Sequence, residues 1–94
     1  MYTFDVLVSK GKLSDGSTCY AAWCSYLYGV WGQGDTEEEA LTEVRLMMTD
    51  VVNDPEDLAE SLIDPEVAAA EMADMIRERE AEGVLCWTQQ VHDR

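Results

Sequence analysis

Nucleophilic catalysis needs a base within hydrogen-bond reach of its nucleophile. This chain offers a single histidine, His92, two residues from the end of the sequence. Terminal residues are poorly tethered, so His92 is not expected to be catalytic. The cysteines are Cys19, Cys24 and Cys86. An odd number fits reduced thiols better than a disulfide framework. Cys19 and Cys24 would lie on opposite faces of a shared strand, which does not suit a common metal, and all three read as small core hydrophobes. The carboxylates fall at helical spacings such as Glu39–Glu43 and Glu56–Glu60, the pattern of solvated helix faces rather than of a metal cluster. Gly32-Gln33-Gly34 lacks the lysine of a phosphate loop and is followed by acids that repel phosphate. No catalytic residue, cofactor or metal is expected, and the chain is not expected to be an enzyme.

What remains is the chemistry of binding, and two features could supply it. Tyr20, Trp23, Tyr26, Tyr28 and Trp31 crowd into twelve residues. Alternate strand residues face opposite ways, so some of these rings must point away from any helix layer on one face. They are either ordinary strand formers or, for a subset, anchors of an interface. The second feature is charge. Residues 35–82 hold seventeen acids against Arg45, Arg77 and Arg79, and so carry the whole formal net charge of −14. Such a surface repels nucleic acid and anionic membranes and favours a basic protein partner. The same acidity would also serve simply to keep a small protein soluble. The candidate partner-binding residues are Trp23, Tyr26, Tyr28 and Trp31 among the aromatics, and Glu56, Asp57, Glu60, Glu71, Asp74 and Glu78 among the acids.

The elements that must position these residues follow from periodicity. Tyr2 to Ser9 alternates as a half-buried strand, Asp15-Gly16 signals a hairpin, and Cys19 to Cys24 is the return strand. Ser25 to Tyr28 reads as a short crossing and Gly29 to Gln33 as a third strand. Thr36-Glu37-Glu38-Glu39 is a capping box. It opens a helix whose stripe is Ala40, Leu41, Val44, Met47, Met48, Val51 and Val52. Asp54-Pro55 and Asp64-Pro65 each combine a cap with a proline suited to the first helical position. They start helices of about 55–63 and 65–82, and Gly83 ends the second. Val84 to Val91 is a last strand. The expected order is β-β-β-α-α-α-β, an α+β fold with one sheet and helices on one face. Ninety-four residues make one domain. There is no signal-peptide pattern and no apolar run long enough to span a bilayer, so a cytoplasmic protein is expected.

Tyr20 to Leu41, YAAWCSYLYGVWGQGDTEEEAL, resembles the core motif of HicB-family antitoxins. Tyr20, Ala22 and Trp23 match the hairpin strand, and Leu27 and Gly29 match the crossing. Gln33, Gly34, Asp35, Thr36, Glu38, Glu39, Ala40 and Leu41 match the turn into the helix. The match is ungapped over these twenty-two residues. The resemblance implies a truncated, degenerate RNase H-like fold that has lost catalysis. Asp5 is the only acid in the first three strands, which agrees independently. It further implies a non-catalytic module that binds a small, basic, double-stranded-RNA-binding-like toxin ribonuclease and occludes its active site, and that oligomerises through the sheet or the carboxyl-terminal region. Independently, a sheet edge with unpaired N–H groups would suit a homodimer. The chain departs from the family at Ser25 and Tyr28, where prolines are common, at Tyr26, where Asp is common, and in the acidic helical segment inserted at about 54–83. No ribbon-helix-helix or helix-turn-helix follows the last strand, so no separate DNA-binding domain is expected. The alternative reading is an acidic inhibitor that mimics nucleic-acid charge, for example phage-borne and directed against a CRISPR-type or other nucleic-acid-binding complex.

Overall fold

A computed structural model of the chain describes residues 2–92. Alternation of apolar and polar residues produces the first strands as expected, β1 (Thr3–Lys12) and β2 (Thr18–Cys24). They are joined by a turn in which Gly16 takes a φ of 89°, a left-handed conformation that glycine adopts without steric cost. The Asp15 carboxylate closes this turn by accepting from the backbone N–H and the hydroxyl of Ser17, which lowers its pKa. β3 (Trp31–Gly34) is followed by α1 (Glu37–Val52), α2 (Pro55–Ser61), α3 (Pro65–Ala81) and β4 (Leu85–His92). The architecture is α+β, in the order β-β-β-α-α-α-β. The four strands form one antiparallel sheet in the order β3-β2-β1-β4, so the last strand lies beside the first.

The third strand begins two residues later than the sequence suggests. Gly29 has a φ of 80°, and the N–H of Tyr28 donates to the carbonyl of Ser61, so the chain here is a crossing tied to the α2–α3 linker. Ladder pairing starts only at Val30, whose carbonyl accepts from Cys24.

The helix caps form as the side-chain chemistry dictates. The N–H of Glu39 donates to the Thr36 hydroxyl at 3.1 Å. The Glu39 carboxylate reaches one residue further back than a capping box requires and accepts from the N–H of Asp35 at 2.8 Å. The Asp54 carboxylate accepts from the N–H groups of Glu56 and Asp57, and that of Asp64 from Glu66. Each satisfies amides that the first helical turn leaves without partners.

One face of the sheet carries Phe4, Val6, Val8, Ala22, Cys24 and Val91, packed against Ala40, Val44 and Met48 of α1. The contact is close because β3 presents glycines to the helix. A Cβ added at Gly32 would meet Glu43 Cβ at 2.7 Å and the carbonyl of Ala40 at 2.8 Å, and one at Gly34 would meet Glu39 Cβ at 2.5 Å. At the far side of this face, Trp87 packs edge-on to Tyr20, and its indole N–H donates to the carboxylate of Glu37 at 3.2 Å. Trp87→Phe keeps an aromatic ring but removes the indole N–H together with the five-membered part of the ring system. It is expected to cost about 1.5–3 kcal/mol in a urea titration, the range for a hydrogen bond to a charged group, with lost packing in addition.

The expectation that all helices share one face is corrected. Leu7 and Trp23 pair across β1 and β2, and Trp23 pairs with Trp31 across β2 and β3, all on the face opposite to Val6 and Ala22. That face is partly covered by α3. Ala68 is buried, and the Arg79 guanidinium lies 4.2 Å from the centre of the Trp23 ring. The cause is the crossing segment. Leu27 bridges to Leu62, and the N–H of Ile63 donates to the carbonyl of Tyr26, so the chain leaves α2 at the end of the sheet and returns along its other side.

The strand register also puts Cys19 and Cys24 on opposite faces. Burial raises the Cys24 thiol pKa, and desolvation likewise raises that of Cys86. Since the thiolate is the reactive form, iodoacetamide is expected to label half-buried Cys19 before Cys24 in the native protein near pH 8, as peptide mass spectrometry would show.

Candidate functional site

The four aromatic candidates separate into distinct environments. Trp23 is half-buried beneath Arg79, a cation–π contact that fixes α3 over β2. Tyr26 is half-buried on the crossing, its ring 6.1 Å from Phe4 and its hydroxyl 3.5 Å from the carboxylate of Asp5. Tyr28 and Trp31 are the exposed pair, at 78% and 48% of their full accessible surface.

Trp23, Tyr28 and Trp31 meet in one groove of about 250 Å³ between the β3 edge of the sheet and α3. Its helix wall is formed by Met72, Met75 and Glu71, and Leu7 lies beneath. Tyr26 is not in this groove. It lines a second hollow with Asp5, Leu62 and Gln90. The methionines were not singled out from the sequence as site residues, although the signal was present. Ala68, Met72, Met75 and Arg79 fall at intervals of four, three and four, a stripe along one side of a helix. Met72 and Met75 are half-buried.

The acidic candidates are all exposed. Glu56, Asp57 and Glu60 ride on α2, away from the groove walls. Glu71 is on the groove wall, Asp74 is one turn further on, and Glu78 faces the hollow beside Cys19 and Arg79. Among the described residues there is one ion pair, Arg77 with Asp74 at 3.1 Å, and both side chains are exposed. The negative charge of α2 and α3 is therefore almost wholly uncompensated within the described chain.

The free edges of the sheet are β3 and β4. Since Cys24 N–H donates to Val30, the hydrogen-bonded pairs along β2–β3 are those of Ala22 and Tyr20, and Trp31 and Gln33 turn their amides outward. The Gln33 N–H is met by the Glu43 carboxylate at 3.5 Å.

Thr3 and His92 face each other across β1 and β4, and the Thr3 hydroxyl lies 2.7 Å from Nδ1 of His92. Both are exposed, and the contact is a cross-strand hydrogen bond open to water. Among the described residues no group of three or more His, Cys, Asp or Glu could hold a metal, and no helix is long and apolar enough to cross a membrane. Compared with family models, with curated proteins and with solved structures, the chain matches none.

Proposed function

We propose that the chain is a protein-binding module that neutralises a basic protein partner by covering it, as a HicB antitoxin with a degenerate RNase H-like fold covers its toxin ribonuclease. The observation that carries this reading is the placement of charge. Glu56, Asp57, Glu60, Glu71, Asp74 and Glu78 stand exposed on α2 and α3, with one ion pair to offset them among the described residues. Surfaces of this kind accelerate encounter with a cation-rich protein at low salt and repel nucleic acid. Gly34, Asp35, Thr36 and Glu39, among the residues that carry the resemblance, form a turn and a helix cap, and their own part is structural.

Co-purification with the product of an adjacent reading frame tests the proposal. A small basic nuclease that elutes with the chain and is inhibited by it supports the reading. A neighbourhood without such a protein, together with failure to bind any toxin ribonuclease of that type, sinks it. Binding that DNA or RNA competes away from a larger nucleic-acid-binding complex would instead favour an acidic inhibitor that mimics nucleic acid.

A further inference from the structure

The second face of the sheet is only partly covered. Strands lie about 4.8 Å apart and a helix is about 10 Å across, so one helix shields about two of four strands. α3 shields Leu7 and Trp23 and packs toward β4. The strip over β3 is left open, and there the groove with Trp31, Tyr28, Met72 and Met75 lies. Glu71 stands on the groove wall, and further along the same exposed helix lie Asp74, paired with Arg77, and Glu78, at the neighbouring hollow beside Cys19. The two cations of α3 are engaged, Arg77 with Asp74 and Arg79 over Trp23.

We propose that this groove receives an amphipathic α-helix of the basic partner, laid alongside α3 with its apolar stripe on Tyr28, Trp31, Met72 and Met75 and its lysines or arginines against Glu71 and toward the exposed acids further along α3. The inference rests on the reading of the chain as a binder of basic proteins. Charge complementarity selects the sign of the occupant. The geometry of the two walls selects a helix over a strand. Strand addition needs a row of free amides, and β3 is four residues long with the outward N–H of Gln33 already facing Glu43. The α3 wall presents half-buried Met72 and Met75 one turn apart, a ridge against which a second helix packs. Methionine adapts to the ridges of such a helix at low cost in strain.

The test uses two synthetic helical peptides of equal positive charge and about eighteen residues. One has a leucine stripe at i, i+3, i+4 and i+7 with lysines elsewhere, and the other has alanine in place of leucine. Binding to the full chain is followed by tryptophan emission and by amide resonances. The leucine peptide is expected to bind about tenfold more tightly, with resonance shifts at Tyr28, Trp31 and Glu71 to Met75. That advantage should vanish in Tyr28→Ser and in the double variant Met72→Gln, Met75→Gln, while the alanine peptide binds all three proteins alike. Tyr28 is exposed, so its variant keeps the test valid if the double variant does not fold. Equal affinity for the two peptides overturns the groove and leaves the charge-based reading standing. Shifts confined to α1, where Leu46 and Met47 are exposed, do the same. If neither peptide binds, both readings fall. If the same resonances move with protein concentration alone, the occupant is a second copy and the proposal is wrong.

Discussion

Gly32→Val is expected to be the most destabilising single change in the sheet, costing about 3 kcal/mol or more in denaturant unfolding. The reason is that β3 and α1 touch through backbone. A Cβ at residue 32 lands 2.7 Å from Glu43 Cβ, 2.8 Å from the Ala40 carbonyl and 3.0 Å from the Val44 amide. The last two are helix backbone, which cannot swing aside as a side chain could. Either α1 lifts from the sheet, opening the core around Val44 and Met48, or β3 detaches from β2. Gly32→Ala carries the same clash with one carbon and is expected to be smaller but of the same sign. A mild effect of the valine variant, with an unchanged near-ultraviolet spectrum, would show that α1 does not sit as close to β3 as described.

The second large effect separates charge from fold. Converting Glu56, Asp57, Glu60, Glu71, Asp74 and Glu78 together to their amides removes six of the fourteen net negative charges. These side chains are exposed and lie on uncompensated helix faces, so the melting temperature is expected to rise as self-repulsion is relieved. Association with the basic partner is expected to slow by about 10–100-fold at low ionic strength, and the deficit should shrink as salt screens the wild-type surface. The acids at the caps are a different matter. Asp64→Ala removes one charge too, but its carboxylate accepts from the N–H of Glu66 at the start of α3. It is expected to lower stability by about 1 kcal/mol and to leave the association rate nearly unchanged. A six-site variant that associates as fast as the wild type would remove electrostatic steering from the account.

The contrast between those acids indicates what the sequence could convey. Local chemistry was legible. Thr36 with Glu39, Asp54-Pro55, Asp64-Pro65 and Asp15-Gly16 each specify a cap or a turn through groups a few residues apart, and all are found. The alternation of β1 and β2 fixed which residues share a face. The side of the sheet on which α3 lies was not legible, because it depends on non-local contacts, Leu27 to Leu62 and Tyr26 to Ile63. The start of β3 was missed for a related reason. Gly29 and Val30 continue the strand-like pattern, but Tyr28 is already committed to Ser61. Of the candidate residues, the crowded aromatics signalled a surface without saying which rings α3 would cover. Trp23 is capped by Arg79 and Tyr26 leans on Phe4, which leaves Tyr28 and Trp31 as the exposed pair. The groove exists only because α3 crosses to the face that carries Trp31.

The chain is titrated into a small basic toxin ribonuclease of the kind proposed as its partner, and cleavage of an RNA substrate is followed at low and at high salt. The account predicts inhibition that is complete near stoichiometric amounts at low salt, weakens as salt rises, and is impaired in the six-site amide variant, since the exposed acids of α2 and α3 steer and hold the partner. Ribonuclease activity that continues undiminished with the chain in excess at low salt would contradict it.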